Sequence, residues 1–155
     1  MRTNASEIDA HNANEDRDAK VILNKYRTIA VVGCSRDPRK DAQSVPKFMK
    51  DKGYKIVPVN PNAEFILGEK CYPNLLQIPD NFAKTIEVVN VFRPSDEATE
   101  VVKQAVDLKV RFNKLRAVWL QLGIVSKEAA DIARKYGLLI VMDKCMRSEY
   151  RKMWD

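Results

Sequence analysis

Five largely apolar runs recur along this chain, the first of them rich in β-branched residues, each separated from the next by a segment with helical spacing. They lie at residues 28–32 (Thr28-Ile29-Ala30-Val31-Val32), 54–59, 87–92, 117–120 and 138–142. A strand that is apolar on both faces must be covered on both, which is the situation of a parallel strand sandwiched between helices. The intervening segments supply those helices. Residues 19–26 place Val21, Ile22 and Tyr26 on a short apolar face, and residues 44–52 carry Pro46 in the opening turn and Gly53 as a stop. Residues 95–109 begin with Ser95 as the predicted N-cap and Asp96 and Glu97 in the first turn, where acids favour the helix dipole. Residues 126–136 repeat the device, with Ser126 as cap and Gly137 as terminator, and a short helix is expected at 74–77. Five βα steps predict an α/β fold: a Rossmann-like, doubly wound, parallel five-stranded sheet with helices on both faces. Right-handed crossovers then suggest strand order 3-2-1-4-5, with the direction of winding reversing between the first and fourth strands. Pro58 cannot donate to a ladder, so the second strand is expected to be weakened near its end.

The chain has 155 residues, the size of one domain. Residues 18–155 are read as that domain and residues 1–17 as a mobile N-terminal extension, because residues 4–14 are polar and lack periodicity. His11, the single histidine, falls in that extension, which argues against a catalytic or metal-binding role for it. Residues 1–18 carry a charge of −3, which leaves +9 on the remaining 137 residues. A basic body suits a phosphorylated small molecule, nucleic acid or an acidic surface. No apolar run approaches the ~18 residues of a membrane-spanning helix, and no signal peptide is expected at the N-terminus. The three cysteines, Cys34, Cys71 and Cys145, are odd in number and form no CxxC pair. They therefore point away from a zinc site or disulfide framework and toward a reducing, cytoplasmic setting.

Ligands of doubly wound sheets bind beyond the carboxyl ends of the strands, where the winding reverses. The loops expected there are Gly33-Cys34-Ser35-Arg36 and Gln121-Leu122-Gly123, extended by Asn60-Pro61 and Phe92-Arg93-Pro94. Gly33 lets backbone approach a ligand, while Arg36, Arg39 and Lys40 follow within a few residues and offer charge to an anion. The dinucleotide fingerprint G-x-G-x-x-G is absent, since positions 33, 35 and 38 are Gly, Ser and Pro. The second strand ends in Asn60 rather than an acid that would hold the ribose of NAD. No P-loop is present. A phosphate-rich ligand recognised by arginine, lysine and backbone is expected instead.

Six blocks taken in order carry a family resemblance. They are Ile29-Ala30-Val31-Val32-Gly33-Cys34-Ser35, Val57-Pro58-Val59-Asn60-Pro61, Gly68-Glu69-Lys70-Cys71-Tyr72-Pro73, Val91-Phe92-Arg93-Pro94-Ser95, Val118-Trp119-Leu120-Gln121-Leu122-Gly123 and Met142-Asp143-Lys144-Cys145. The chain resembles the small stand-alone CoA-binding-domain proteins, which are similar to the CoA-binding domain of the succinyl-CoA synthetase α-subunit. The resemblance implies coenzyme A as ligand. It implies Gly33, Cys34 and Ser35 at the pyrophosphate, with Arg36, Arg39 and Lys40 available to the phosphates. Val59, Asn60 and Pro61 would flank adenine and ribose, Phe92, Arg93 and Pro94 would border nucleotide or pantetheine, and Gln121, Leu122 and Gly123 would line the arm. CoA carries about four negative charges near neutral pH, which Arg36, Arg39, Lys40 and Arg93 would match. The synthetase also uses a phosphorylated histidine on a second domain. With His11 alone and no room for another domain, ligase activity by this chain alone is not expected.

Cys145 lies between Lys144 and Arg147, cations that favour a thiolate, and could face the sulfur end of bound CoA. The expected function is therefore a CoA or acyl-CoA binding module acting as carrier or sensor, with a protein partner or homo-oligomer left open. The alternatives are an NAD(P)-binding protein and a thiol-redox protein acting through Cys145. Residues 109–116 are basic around Phe112, yet such a segment more often forms a solvated helix end, and nucleic acid is disfavoured as partner.

Overall fold

A computed structural model describes residues 5–154, with side chains from residue 14 onward. The side chain of His11 lies outside the described residues. The main sheet comprises β1 (Thr28–Val32), β2 (Lys55–Val59), β5 (Val88–Val91), β6 (Ala117–Leu120) and β7 (Leu139–Val141), all parallel. A two-stranded hairpin, β3 (Phe65–Ile66) and β4 (Glu69–Lys70), lies between β2 and β5. The helices are α1 (Ala5–Lys25), α2 (Asp41–Asp51), α3 (Asp80–Ala83), α4 (Ser95–Phe112), α5 (Lys127–Lys135) and α6 (Met146–Trp154). Among the described residues, no helix is long and apolar enough to cross a membrane.

Successive strand residues point to opposite faces, and the core divides accordingly. Ile29, Val31, Ile56, Val88, Trp119 and Val141 pack with α1, α2 and α6 on one face. Ala30, Val32, Val57, Val89, Val91, Val118 and Ile140 pack with α4 and α5 on the other. The Rossmann-like architecture is therefore the expected one.

Its strand order needs correction in one respect. The order is β2-β1-β5-β6-β7, so the third of the five main strands lies beside the first, and the winding reverses between β1 and β5. Counting only those five, this is 2-1-3-4-5, whereas 3-2-1-4-5 would have buried β2 between two neighbours. Both orders obey the handedness rule; Pro58 favours this one. The Pro58 carbonyl accepts from the Tyr72 N–H at 3.1 Å on the side away from β1, so the N–H that proline lacks would also have pointed outward. An edge strand accommodates that residue without losing a sheet bond.

Several helix boundaries also differ from expectation; α2 starts at Asp41 rather than at residue 44, which puts Pro46 inside the helix and not in its opening turn. α1 runs back through the segment read as an extension, and Asp16 pairs with Lys144 at 3.1 Å. Ser95 does not cap α4; Pro94 occupies the cap position, and the Ser95 hydroxyl accepts from the Val125 N–H at 3.0 Å. α6 was not anticipated, and it docks through buried Met146 and through Tyr150, whose ring meets Phe48 and Tyr54 edge-on. Ser126 does cap α5, accepting from the Ala129 N–H at 3.1 Å.

Candidate functional site

A cleft of about 680 Å³ opens at the carboxyl ends of β1, β2 and β5, at the reversal of the sheet. Its floor is the turn that follows β1. The Gly33 N–H donates to the Val59 carbonyl at 3.0 Å, tying the turn to β2. Gly33 has φ +85°, and a β-carbon there would stand 3.0 Å from both the Phe92 carbonyl oxygen and Arg93 Cδ. Only glycine fits this approach without displacing β5 or Arg93.

The rest of the loop is pinned at each step. Asn60 Nδ2 donates to the Cys34 carbonyl at 2.8 Å, while Asn60 Oδ1 accepts from the Asn62 N–H at 2.7 Å. The Ser35 N–H donates to the Ala42 carbonyl at 3.1 Å, and Gln43 Nε2 donates to the Ser35 carbonyl at 3.1 Å. The Ser35 hydroxyl accepts from the Asp37 N–H at 3.0 Å. The first turn of α2 therefore stands beside the loop with its dipole positive toward the cleft.

Nine of the sixteen residues expected at a ligand site line this cleft: Gly33, Cys34, Ser35, Lys40, Val59, Asn60, Pro61, Phe92 and Arg93. Arg36, Arg39, Pro94, Gln121, Leu122, Gly123 and Cys145 do not line it. Arg39 is engaged elsewhere: its Nε and Nη2 donate to Asp37 Oδ1 and Oδ2, each at 3.0 Å. That guanidinium holds the Asp37 carboxyl below the usual carboxylate range. Lys40 lines the cleft and makes no ion pair among the described residues.

Gln121 is 3% exposed and serves the interior. Its Nε2 donates to Asn90 Oδ1 at 2.7 Å, and its Oε1 accepts from the Met146 N–H at 3.2 Å, closing the start of α6. Leu122 is 69% exposed, and the Gly123 N–H donates to Asp143 Oδ1 at 2.7 Å. These three residues fall outside because the reversal lies one strand earlier than expected. Around Cys145, the neighbouring cations have other partners: Lys144 pairs with Asp16, and Arg147 lies 3.3 Å from the Ser44 hydroxyl and 3.8 Å from Asp41.

The α4 wall was not foreseen. Glu97, Glu100, Val101 and Gln104 line the cleft, with Asp96 beside them and Asn62, Pro73 and Asn74 opposite. Positions 97, 100, 101 and 104 recur every three or four residues, so a second stripe beside the apolar face of the helix was the signal available. Arg93 Nη2 donates to Glu97 Oε1 at 2.8 Å.

Burial pushes the Cys34 thiol from 9.0 to about 12, with Cys71 nearby adding to the effect. Burial raises Cys71 as well. At neutral pH Cys34 is a protonated thiol and a poor nucleophile. The arrangement suits binding of an anion by Lys40, backbone N–H groups and a helix N-terminus. Among the described residues no group of three His, Cys, Asp or Glu side chains could hold a metal ion.

Comparison with known proteins agrees with this geometry. A family model described as a CoA binding domain matches residues 27–151. The chain is 34% identical over 130 residues to the uncharacterized protein YneT of Bacillus subtilis (strain 168), covering 84% of this chain and 90% of that protein. It is 34% identical over 125 residues to the α-subunit of ADP-forming acetate–CoA ligase II of Pyrococcus furiosus, covering 77% of this chain but 27% of the ligase subunit. Among solved structures, a hypothetical protein from Pyrococcus horikoshii OT3 superposes with a TM-score of 0.80 at 38% identity, over 90% of this chain and 92% of that one.

Proposed function

The chain belongs to the CoA-binding-domain family, and from that premise we propose that it binds coenzyme A or an acyl-CoA in the cleft at the β1/β5 reversal, as a carrier or sensor module. The observation that carries the proposal is the placement of Lys40, which makes no close ion pair among the described residues, beside the Gly33–Ser35 turn and the start of α2. Phosphates would be held there by the ammonium group and by the backbone N–H groups that open α2, with the dipole of an eleven-residue helix behind them, since the Gly33 and Ser35 N–H groups are already given to the Val59 and Ala42 carbonyls. Val59, Asn60 and Pro61 would border the adenine and ribose, with Val101 supplying apolar surface from α4. CoA would bring its own thiol as the reactive group; the protein's residues would bind and orient the nucleotide end. Nothing in the cleft favours a nicotinamide dinucleotide, since the residue after β2 is Asn60, whose amide is committed to the Cys34 carbonyl.

Native mass spectrometry of freshly purified protein, followed by calorimetric titration with CoA, acetyl-CoA, NADH and NADPH, tests this. Retained or titrated CoA is expected. Binding of NADH or NADPH without binding of CoA or acetyl-CoA would overturn it.

A further inference from the structure

Two walls of opposite charge face each other across the cleft. α2 and its leading loop lie on one face of the sheet and α4 on the other. The first wall presents Lys40, while the second presents Asp96, Glu97 and Glu100 with a single cation, Arg93. That cation is already held, since its Nη2 donates to Glu97 Oε1 at 2.8 Å. Its stem lies over the Gly33 turn, where a β-carbon would stand 3.0 Å from Cδ, so the guanidinium is fixed at the mouth of the cleft. Glu97 follows Arg93 by four residues at the start of α4, which builds the pair into the helix entry. A guanidinium has further N–H donors for a carbonyl or hydroxyl. As a pair with Glu97, however, it is electrically neutral, and two more carboxylates stand beside it.

Building on the CoA reading, we propose that Glu97 is a specificity-determining residue: by neutralising Arg93 it keeps phosphate off the α4 wall and commits it to Lys40 and the start of α2. A ligand whose negative charge is concentrated in one region then enters in one orientation. Its uncharged part meets α4, where amino, amide or hydroxyl groups can donate to the carboxylates. Arg93 on this view answers to Glu97 rather than to the ligand's phosphates.

A double-mutant cycle separates the two roles. Wild-type protein, Arg93→Ala, Glu97→Gln and the double variant are titrated calorimetrically with CoA at low and moderate salt. Arg93→Ala is expected to weaken binding about three- to tenfold, because it leaves Glu97 unpaired near the phosphates. Glu97→Gln should tighten binding by about threefold and make it fall more steeply with salt. The double variant should return to within about twofold of wild type, as expected when one residue acts through the other. A double variant as weak as Arg93→Ala would mean that Arg93 grips phosphate itself, and would overturn the proposal. So would a Glu97→Gln variant with unchanged affinity and salt dependence. Both side chains are about half exposed, so thermal melts should show all variants folded. Failure of the wild type to bind CoA would instead overturn the underlying reading, and is recognised in the first titration.

Discussion

The Ser35 N–H donates to the Ala42 carbonyl, and that carbonyl is available because Pro46, four residues further along α2, has no N–H to claim it. An interior proline ordinarily costs a helix ~3 kcal/mol. Here the freed acceptor anchors the turn at the mouth of the cleft. Pro46→Ala should leave thermal stability unchanged or raise it, while CoA affinity falls about two- to fivefold as the helix reclaims its carbonyl. Calorimetry and a thermal melt on the same sample check both halves; equal affinity would show that the turn holds without this bond.

Gly33→Ala brings a β-carbon to 3.0 Å from the Phe92 carbonyl at a φ that L-residues rarely adopt. A loss of ~1–3 kcal/mol in urea unfolding is expected, together with weaker CoA binding. Wild-type stability in this variant would contradict the close approach.

Lys40 and Arg39 are neighbours with opposite expectations. Lys40→Ala should weaken CoA binding by ~1–2 kcal/mol through loss of a charge-assisted contact. Arg39→Ala should change it far less, because Arg39 is held by Asp37 and does not line the cleft. Titration of both variants decides the matter; a reversed ranking would move the phosphate site along the loop.

Gln121→Leu removes a donor from buried Asn90 and the acceptor for the Met146 N–H. Leaving such groups unmet should cost ~2–4 kcal/mol of stability. CoA affinity should stay within about twofold, since the residue lies away from the cleft.

Cys34 sets a pH dependence. The native thiol titrates near 12, whereas in the unfolded chain it ionises near 9. Its contribution to stability is therefore complete below pH 9 and is lost as pH rises from about 9 toward 12, at up to ~1.4 kcal/mol per pH unit. Cys34→Ser should flatten that alkaline decline in equilibrium unfolding. Iodoacetamide at pH 8 should also label Cys34 in native protein much more slowly than in urea, as read by peptide mass spectrometry.

The strands were legible because residues such as Ile29 to Val32 are apolar on both faces and admit few other fates. Their order was not, since handedness permits two solutions and the deciding residue, Pro58, acts only through what lies outside it. α6 escaped notice because its stretch is mostly charged and polar, and its anchoring depends on Met146 and Tyr150 meeting distant partners. At the cleft, Gly33 to Ser35 and Asn60 could be named because topology alone brings their loops together. Arg39 is expected at the cleft from its charge, which the sequence displays, whereas its bond to Asp37 is visible only in the fold. Glu97 and Glu100 line the cleft with no sequence signal beyond their spacing, because acids in the first turns of a helix already have a local explanation in the helix dipole.

The two margins of the sheet are both poor templates for another chain. Along β2, Pro58 offers no donor and its carbonyl is taken by Tyr72, while β7 is three residues long. Copies of this protein therefore cannot readily stack into a continuous ribbon, the usual route to insoluble aggregates. Any self-association would have to proceed through side chains on the helical flanks or at the loops, leaving the hydrogen-bond ladder a closed system.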